Sequence, residues 1–177
     1  MKIVAFAASS SSKSINKQLV SYAANIAAQQ HNADVEILDI NDYEMPLFSQ
    51  DKEELLGQPA QAQAFYAKLG EADAIIISFA EHNGTYTAAY KNLFDWTSRI
   101  DMKVFQHKPM VLLATSPGPG GAATVLAQAN GSAGFFAAEV KGSLSIPSFF
   151  DNFDSQTQTL TNSELQEKLA HALSQLA

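Results

Sequence analysis

Three short stretches of this 177-residue chain combine residue types that could do chemistry. The first is Ala7-Ala8-Ser9-Ser10-Ser11-Ser12-Lys13-Ser14-Ile15-Asn16, directly after the apolar run Ile3 to Phe6. Hydroxyls at the end of a buried strand and the start of a helix suit a phosphate, because short O–H donors and free helical N–H groups converge there. Serines at a helix start also serve as plain caps. The second stretch, Ala80-Glu81-His82-Asn83-Gly84-Thr85, supplies polar side chains. The third, Ser116-Pro117-Gly118-Pro119-Gly120-Gly121, is rich in backbone and poor in side chains, so a flat group can approach the main chain closely. None of the three holds a nucleophile beside a base, or a His or carboxylate pair at metal-ligand spacing.

The elements around these stretches must bring them together. Ile3 to Ala7 has the composition of a central strand buried on both faces. Ile15, Leu19, Tyr22, Ala23 and Ile26 then recur at helical spacing. Asp34 to Ile40 alternates polar and apolar residues, as a strand with one less buried face does. A strand, helix, strand unit implies a parallel pair with a right-handed crossover. Asn41 to Pro59 is a long connection carrying Pro46, Gly57, Pro59 and the acidic run Asp51-Lys52-Glu53-Glu54, either a solvated excursion or a functional loop.

Gln61 to Gly70 reads as a short helix. Asp73 to Phe79, with three consecutive isoleucines, belongs in the middle of a parallel sheet. A helix with Tyr90, Leu93, Phe94 and Thr97 on one side follows, then a fourth strand, Pro109 to Thr115. The next helix starts near Ala122, with Asn130-Gly131 as its interruption or end. Glu139 to Ile146 is a weaker fifth strand closed by Pro147. Leu165, Leu169, Ala172, Leu173 and Leu176 form a final amphipathic helix, with Thr161 and Glu164 at capping-box spacing. The expected fold is α/β, a doubly wound three-layer sandwich with a five-stranded parallel sheet, in one domain over 1–177. In such sheets ligands bind at the C-terminal strand ends, where all three stretches fall.

Composition narrows the partners. A charged fraction of 16% beside 46% hydrophobic residues fits a globular chain and not a disordered one. The formal charge of −7 opposes bulk attraction to nucleic acid or to an anionic membrane. The absence of cysteine excludes disulfides, thiolate metal sites and cysteine nucleophiles. The apolar run after Met1-Lys2 breaks into serines too early for a signal peptide, and no stretch reaches the length of a membrane span. The expectation is a cytoplasmic protein with no nucleic-acid or membrane partner.

At these three stretches the chain resembles the NADPH-dependent FMN reductase family, flavodoxin-like proteins that include flavin, quinone, azo-dye and chromate reductases. The family's first loop runs close to G-S-x-R-x-x-S-x-N, and Ala8, Ser9, Ser14 and Asn16 fall on it. Ala8 replaces the glycine and Ser11 stands where the family often has arginine, leaving Lys13 as the nearby charge. The second loop, P-E-Y-N-G followed by K-N-x-x-D-W, is matched by Ala80 to Gly84 and by Lys91-Asn92-Leu93-Phe94-Asp95-Trp96. Here Ala80 and His82 replace proline and tyrosine. The third loop, S-x-G-x-x-G-G, is matched by Ser116 to Gly121 with its last two glycines in step, and Glu44 to Phe48 resembles a proline-containing loop of the family. The likeness runs from Lys2 to Ser145.

The resemblance implies a flavodoxin-like sheet of order 2-1-3-4-5 and bound FMN. Its phosphate would meet Ser9, Ser11, Ser14, Ile15 and Asn16, and its ring Glu81, His82, Asn83 and Gly84. Ser116, Gly118, Gly120 and Gly121 would complete the pocket. It further implies an oxidoreductase in which NADPH or NADH gives hydride to flavin N5 and a small acceptor takes it in a ping-pong cycle. The acceptor would be a flavin, quinone, azo compound or metal oxyanion, with no protein side chain as catalytic residue. A homodimer or homotetramer is implied too. A flavodoxin-type electron carrier, or a flavodoxin-like protein without tight FMN binding, is the alternative. Trp96 and Phe94 read as core packing, and Asp95 with Arg99 as an i, i+4 surface pair or subunit contact. Phe48, Phe149, Phe150 and Phe153 would cover a flavin or seal a dimer.

Overall fold

Short runs dense in β-branched and small apolar residues build the sheet, because both faces of each central strand must be buried. A computed structural model describes residues 1–177. Strands β1 (Lys2–Ala8), β2 (Asp34–Leu38), β3 (Ala74–Phe79), β4 (Lys108–Thr115) and β5 (Ala138–Ile146) pair in parallel in the order 2-1-3-4-5. Every residue of β3 is buried, and β1 is buried from Ile3 onward. Ala8 lies level with Phe79, and Phe79 with Ala114, so β1, β3 and β4 end side by side.

The two-residue period of the strands divides the core. Val4, Phe6, Ile75, Ile77, Met110 and Leu112 face α3 (Ala60–Glu71), α4 (Ala88–Ser98) and α5 (Ala123–Ala133). Ile3, Ala5, Ile76, Val111 and Leu113 face α1 (Ile15–His31) and α7 (Ser163–Ser174). This is the flavodoxin-like arrangement, and the strand order reverses between β1 and β3.

Several local expectations need correction. The connection from Asn41 to Pro59 is not irregular throughout: a 3₁₀ turn at Ile40–Tyr43 and helix α2 (Gln50–Leu56) occupy most of it. Ser49 caps α2 by accepting from the Lys52 amide, Asp51 and Glu53 sit in its first turn, and Gly57 at φ 68° ends it. α5 is not interrupted at Asn130-Gly131; Asn130 Nδ2 donates to the Leu126 carbonyl and to Ser143 Oγ, and the helix continues to Ala133. Asn162, not Thr161, caps α7. Asp95 pairs with Lys91 at 2.7 Å, while Arg99 reaches across to Glu53 at 3.0 Å, so Asp95 and Arg99 are not partners.

Phe149 starts the single turn α6 (Phe149–Asn152) in the core and stacks on Phe153 at 4.7 Å, and Phe48 packs edge-on against Trp96 at 5.0 Å. Of the four phenylalanines considered as covers, only Phe150 is exposed. Trp96 is fully buried, and its Nε1 donates to the Pro46 carbonyl. No helix is long and apolar enough to cross a membrane.

Candidate functional site

Because neighbouring strands stand about 4.8 Å apart, the loops leaving β1, β3 and β4 emerge within roughly 10 Å of one another. Buried polar groups beneath the rim tie them further. Ser78 and Thr115 lie on the α1 side of their strands, and both reach Asn16 in the first turn of α1. Asn16 Oδ1 accepts from Ser78 Oγ at 2.7 Å and from the Thr115 amide at 3.1 Å, while Nδ2 donates to the Thr115 carbonyl at 3.1 Å. Asn16 is 2% exposed, and its carbonyl oxygen is fully used.

Its side chain is therefore a strut joining the ends of β3 and β4 to the first turn of α1, turned away from solvent; what it offers outward is its backbone N–H. Thr87 plays a similar part on the other face. Its hydroxyl donates to the Ala8 carbonyl at 3.0 Å and caps α4 by accepting from the Tyr90 amide at 3.2 Å.

Above the strut the first loop is open. Ser14 Oγ caps α1 through the Lys17 amide, and no protein acceptor meets the N–H groups of Ile15 or Asn16. Ser9 Oγ accepts from the Ser11 amide and Ser11 Oγ from the Lys13 amide, which folds the loop while leaving each O–H proton free to donate. Ser14 is buried, Ser9 and Ile15 are half-buried, and Ser11 is exposed. Ala8 has no left-handed φ, so the backbone at this position makes no demand for glycine.

Lys17 is committed to Asp39 at 2.6 Å, and that hydrogen bond, with one from the Asn41 amide, holds the Asp39 carboxyl below its ordinary range. Lys13 has no carboxylate partner and is the free cation of the loop. An anion with two or three oxygens fits this array of backbone N–H, hydroxyl and ammonium donors.

The second loop is a hairpin. Glu81–His82 pairs with Thr85–Tyr86, and both turn residues, Asn83 at φ 53° and Gly84 at φ 77°, have the left-handed backbone of a two-residue type I′ turn. It is fastened to α5 at two points. Glu81 Oε2 accepts from the Val125 amide at 2.8 Å, and Thr85 Oγ1 donates to Gln128 Oε1 at 2.8 Å. α5 has no side-chain cap of its own, so Glu81 supplies an acidic group where the helix dipole favours one. His82, Asn83 and Gly84 are exposed.

The third loop is pinned from below. The Ser148 amide donates to the Gly118 carbonyl at 2.9 Å, the Phe149 amide to the Ser116 carbonyl at 3.0 Å, and Ser145 Oγ to the Gly121 carbonyl at 2.7 Å. Gly121 has φ 58°, and a Cβ there would lie 2.3 Å from Ser145 Oγ and 3.0 Å from the Pro147 backbone, so packing requires it. Around Gly118 and Gly120 there is open space. Their carbonyls hold the loop, whereas their N–H groups have no partner. A planar group could approach that backbone without meeting a side chain.

Residues 1–151 match the NADPH-dependent FMN reductase family. The chain belongs to this family. It is 33% identical over 131 residues to a 2-hydroxy-1,4-benzoquinone reductase of a Burkholderia species, covering 73% of this chain and 67% of that one. It is 33% identical over 89 residues to an NAD(P)H-dependent FMN reductase of Pseudomonas aeruginosa, covering 50% and 46% of the two chains. Several curated relatives are thus matched over only about half of their length. Among solved structures, the flavoenzyme NAD(P)H:(acceptor) oxidoreductase of Paracoccus denitrificans shares the fold at a TM-score of 0.75, with 19% identity over 99% of this chain and 96% of the other.

The family is one of oxidoreductases with a flavodoxin-like fold, and the three loops of the rim fall within the matched residues. Sequence reasoning alone did not find Ser78, Thr87 and Thr115. Ser78 was nonetheless visible as the one hydroxyl in Ala74 to Phe79, and Thr115 as the polar end of an otherwise apolar strand.

Proposed function

We propose that the chain is an NAD(P)H-dependent, FMN-containing reductase that passes electrons to a small oxidised acceptor such as a flavin, quinone, azo compound or metal oxyanion. One observation carries the proposal: β1, β3 and β4 end level with one another, with Asn16 bonded to the ends of β3 and β4, so a donor-rich loop and two open loops share one rim. The relatives whose names specify quinone or FMN reduction belong to the same family and support the substrate class.

In this proposal the free N–H groups of Ile15 and Asn16, the hydroxyls of Ser9, Ser11 and Ser14 and the ammonium of Lys13 hold the phosphate. The hairpin from Glu81 to Gly84 borders the ring. Ser116 orders the third loop, Gly121 lets it pack, and Gly118 and Gly120 bring backbone N–H groups to the ring edge, where they stabilise negative charge. FMN, when bound, supplies hydride acceptance and delivery. The protein binds it, orients it and leaves one face open to nicotinamide and acceptor in turn.

The test is an anaerobic absorbance spectrum of the FMN-loaded chain with NADPH and NADH separately, followed by addition of each acceptor class. Bleaching by a nicotinamide and recovery with a quinone or flavin supports the proposal. A flavin-loaded chain that stays oxidised with both nicotinamides overturns it.

A further inference from the structure

Charged side chains are scarce around the second and third loops. From Ala74 to Thr87 the chain carries one acidic residue, Glu81, and no lysine or arginine; from Pro109 to Ala138, which takes in the third loop and all of α5, it carries no charged residue at all. Glu81 is half-buried and belongs to none of the protein's ion pairs. Its side chain has a single hydrogen-bond partner, the Val125 amide, which donates to Oε2 at 2.8 Å. Val125 lies in the first turn of α5, whose N-cap Ala122 makes no side-chain hydrogen bond. An unpaired negative charge thus stands at the positive end of the helix into which the third loop runs.

Capping alone does not call for that charge. Helices α1, α2, α4 and α7 are capped by Ser14, Ser49, Thr87 and Asn162, each through a neutral oxygen. A neutral oxygen satisfies a helix N–H in every one of them, so what the carboxylate adds at α5 is electrostatic. Its nearest candidates for neutralisation are already taken or elsewhere: Lys91 is paired with Asp95, and Lys13 sits on the first loop.

In the proposed function Glu81 opens the hairpin that borders the flavin ring, and the helix it caps follows the loop that brings the Gly118 and Gly120 amides to the ring edge. Hydride from NADPH or NADH carries two electrons and one proton to a neutral ring, and the nicotinamide leaves oxidised. The ring then bears one negative charge until a further proton comes from water. The loop amides and the α5 dipole lower the energy of that charge, and a carboxylate beside them raises it. On the basis of the proposed function, we propose that Glu81 tunes the bound flavin: its negative charge holds the reduction potential below the value that the third loop and α5 alone would set. The reduced flavin is thereby a stronger donor to the acceptor.

The test is the midpoint potential of FMN bound to the parent chain and to two variants, from anaerobic reduction against a reference dye at pH 7. Glu81→Gln keeps an oxygen for the Val125 amide and removes the charge. A unit charge about 10 Å from the ring, at the effective dielectric near a protein surface, changes the ratio of reduced to oxidised flavin roughly tenfold. Glu81→Gln should therefore raise the potential by about 30 mV, which is that tenfold change for a two-electron couple. Its affinity for oxidised FMN should match the parent's. Gln128→Glu keeps the exposed acceptor that Thr85 Oγ1 uses and adds a carboxylate one turn further along α5, so it should shift the ratio the opposite way, by roughly threefold. If Glu81→Gln does not fold, the sign of the Gln128→Glu shift decides alone. A Glu81→Gln potential equal to or below the parent's overturns the proposal, as does weakened binding of oxidised FMN with no change in potential, the mark of a purely structural latch. In either case the parent still binds FMN and is reduced by a nicotinamide, so the proposed function stands. A parent chain that takes up no FMN overturns both.

Discussion

The underside and the topside of the rim are made from the same residue types but do opposite work. Beneath it, Asn16, Ser78, Thr87 and Thr115 are at most 2% exposed, and their polar side-chain groups find partners within the protein. Above it, Ser11, Ser12 and Lys13 are exposed, and the N–H groups of Ile15, Asn16, Gly118 and Gly120 have no protein partner. Serine and asparagine can thus be either scaffold or ligand-facing within a few residues of each other. What decides is the two-residue period of the strands, which turns Ser78 and Thr115 inward to meet the first turn of α1.

Substitutions that convert the underside should cost the most. Asn16→Ala leaves a buried hydroxyl, a buried N–H and a buried carbonyl without partners, and should lower stability in urea unfolding by about 3 kcal/mol or more. Flavin affinity should fall with it, because the ends of β3 and β4 lose their tie to the first turn of α1. A smaller loss is expected from Thr87→Val, about 1–2 kcal/mol, combining a missing helix cap with the lost bond to Ala8.

On the boundary between the two sides, Ser14→Ala should cost about 1 kcal/mol of stability as a lost cap and should weaken FMN more than Ser12→Ala does. Ser12→Ala should leave the unfolding midpoint unchanged. Equal and small effects of the two on FMN would break the division between capping and outward-facing serines.

The smallest effect concerns pH. The Asp39 carboxyl is held below its ordinary value by Lys17 and by the Asn41 amide, so its contribution is present above the unfolded value near pH 3.9 and is lost as pH falls through the lower folded value. The pair is partly exposed, which limits that contribution to under about 1 kcal/mol. Asp39→Asn should therefore lower stability slightly at neutral pH and converge with the parent chain in acid unfolding once the Asp39 carboxyl of the folded chain is protonated.

The sheet was legible in the sequence because each central strand is a short apolar run, and Ile75 to Ile77 admits almost no other place. Strand order came with the family resemblance and not with periodicity. α2 escaped notice because none of its residues is buried, so it carries no amphipathic signal. The hairpin at Glu81 to Tyr86 did carry a signal, Asn83-Gly84, but its strands of two residues are too short to show alternation.

The family position of Asn16 implies a phosphate contact. Nothing in a linear pattern says that its amide turns toward Ser78 and Thr115, residues distant from it in sequence. Asp95 and Arg99 had the spacing of a pair, yet Lys91 and Glu53 lie closer to them. Spacing along one helix cannot account for a partner on α2.

The central claim is that the topside of the rim holds FMN. Titrating the chain into a fixed concentration of FMN and following flavin fluorescence tests it most directly. Saturable quenching with one flavin per chain, weakened by Ser14→Ala and by added inorganic phosphate, is the predicted result. Flavin fluorescence that stays unchanged at protein concentrations well above that of the flavin would contradict it.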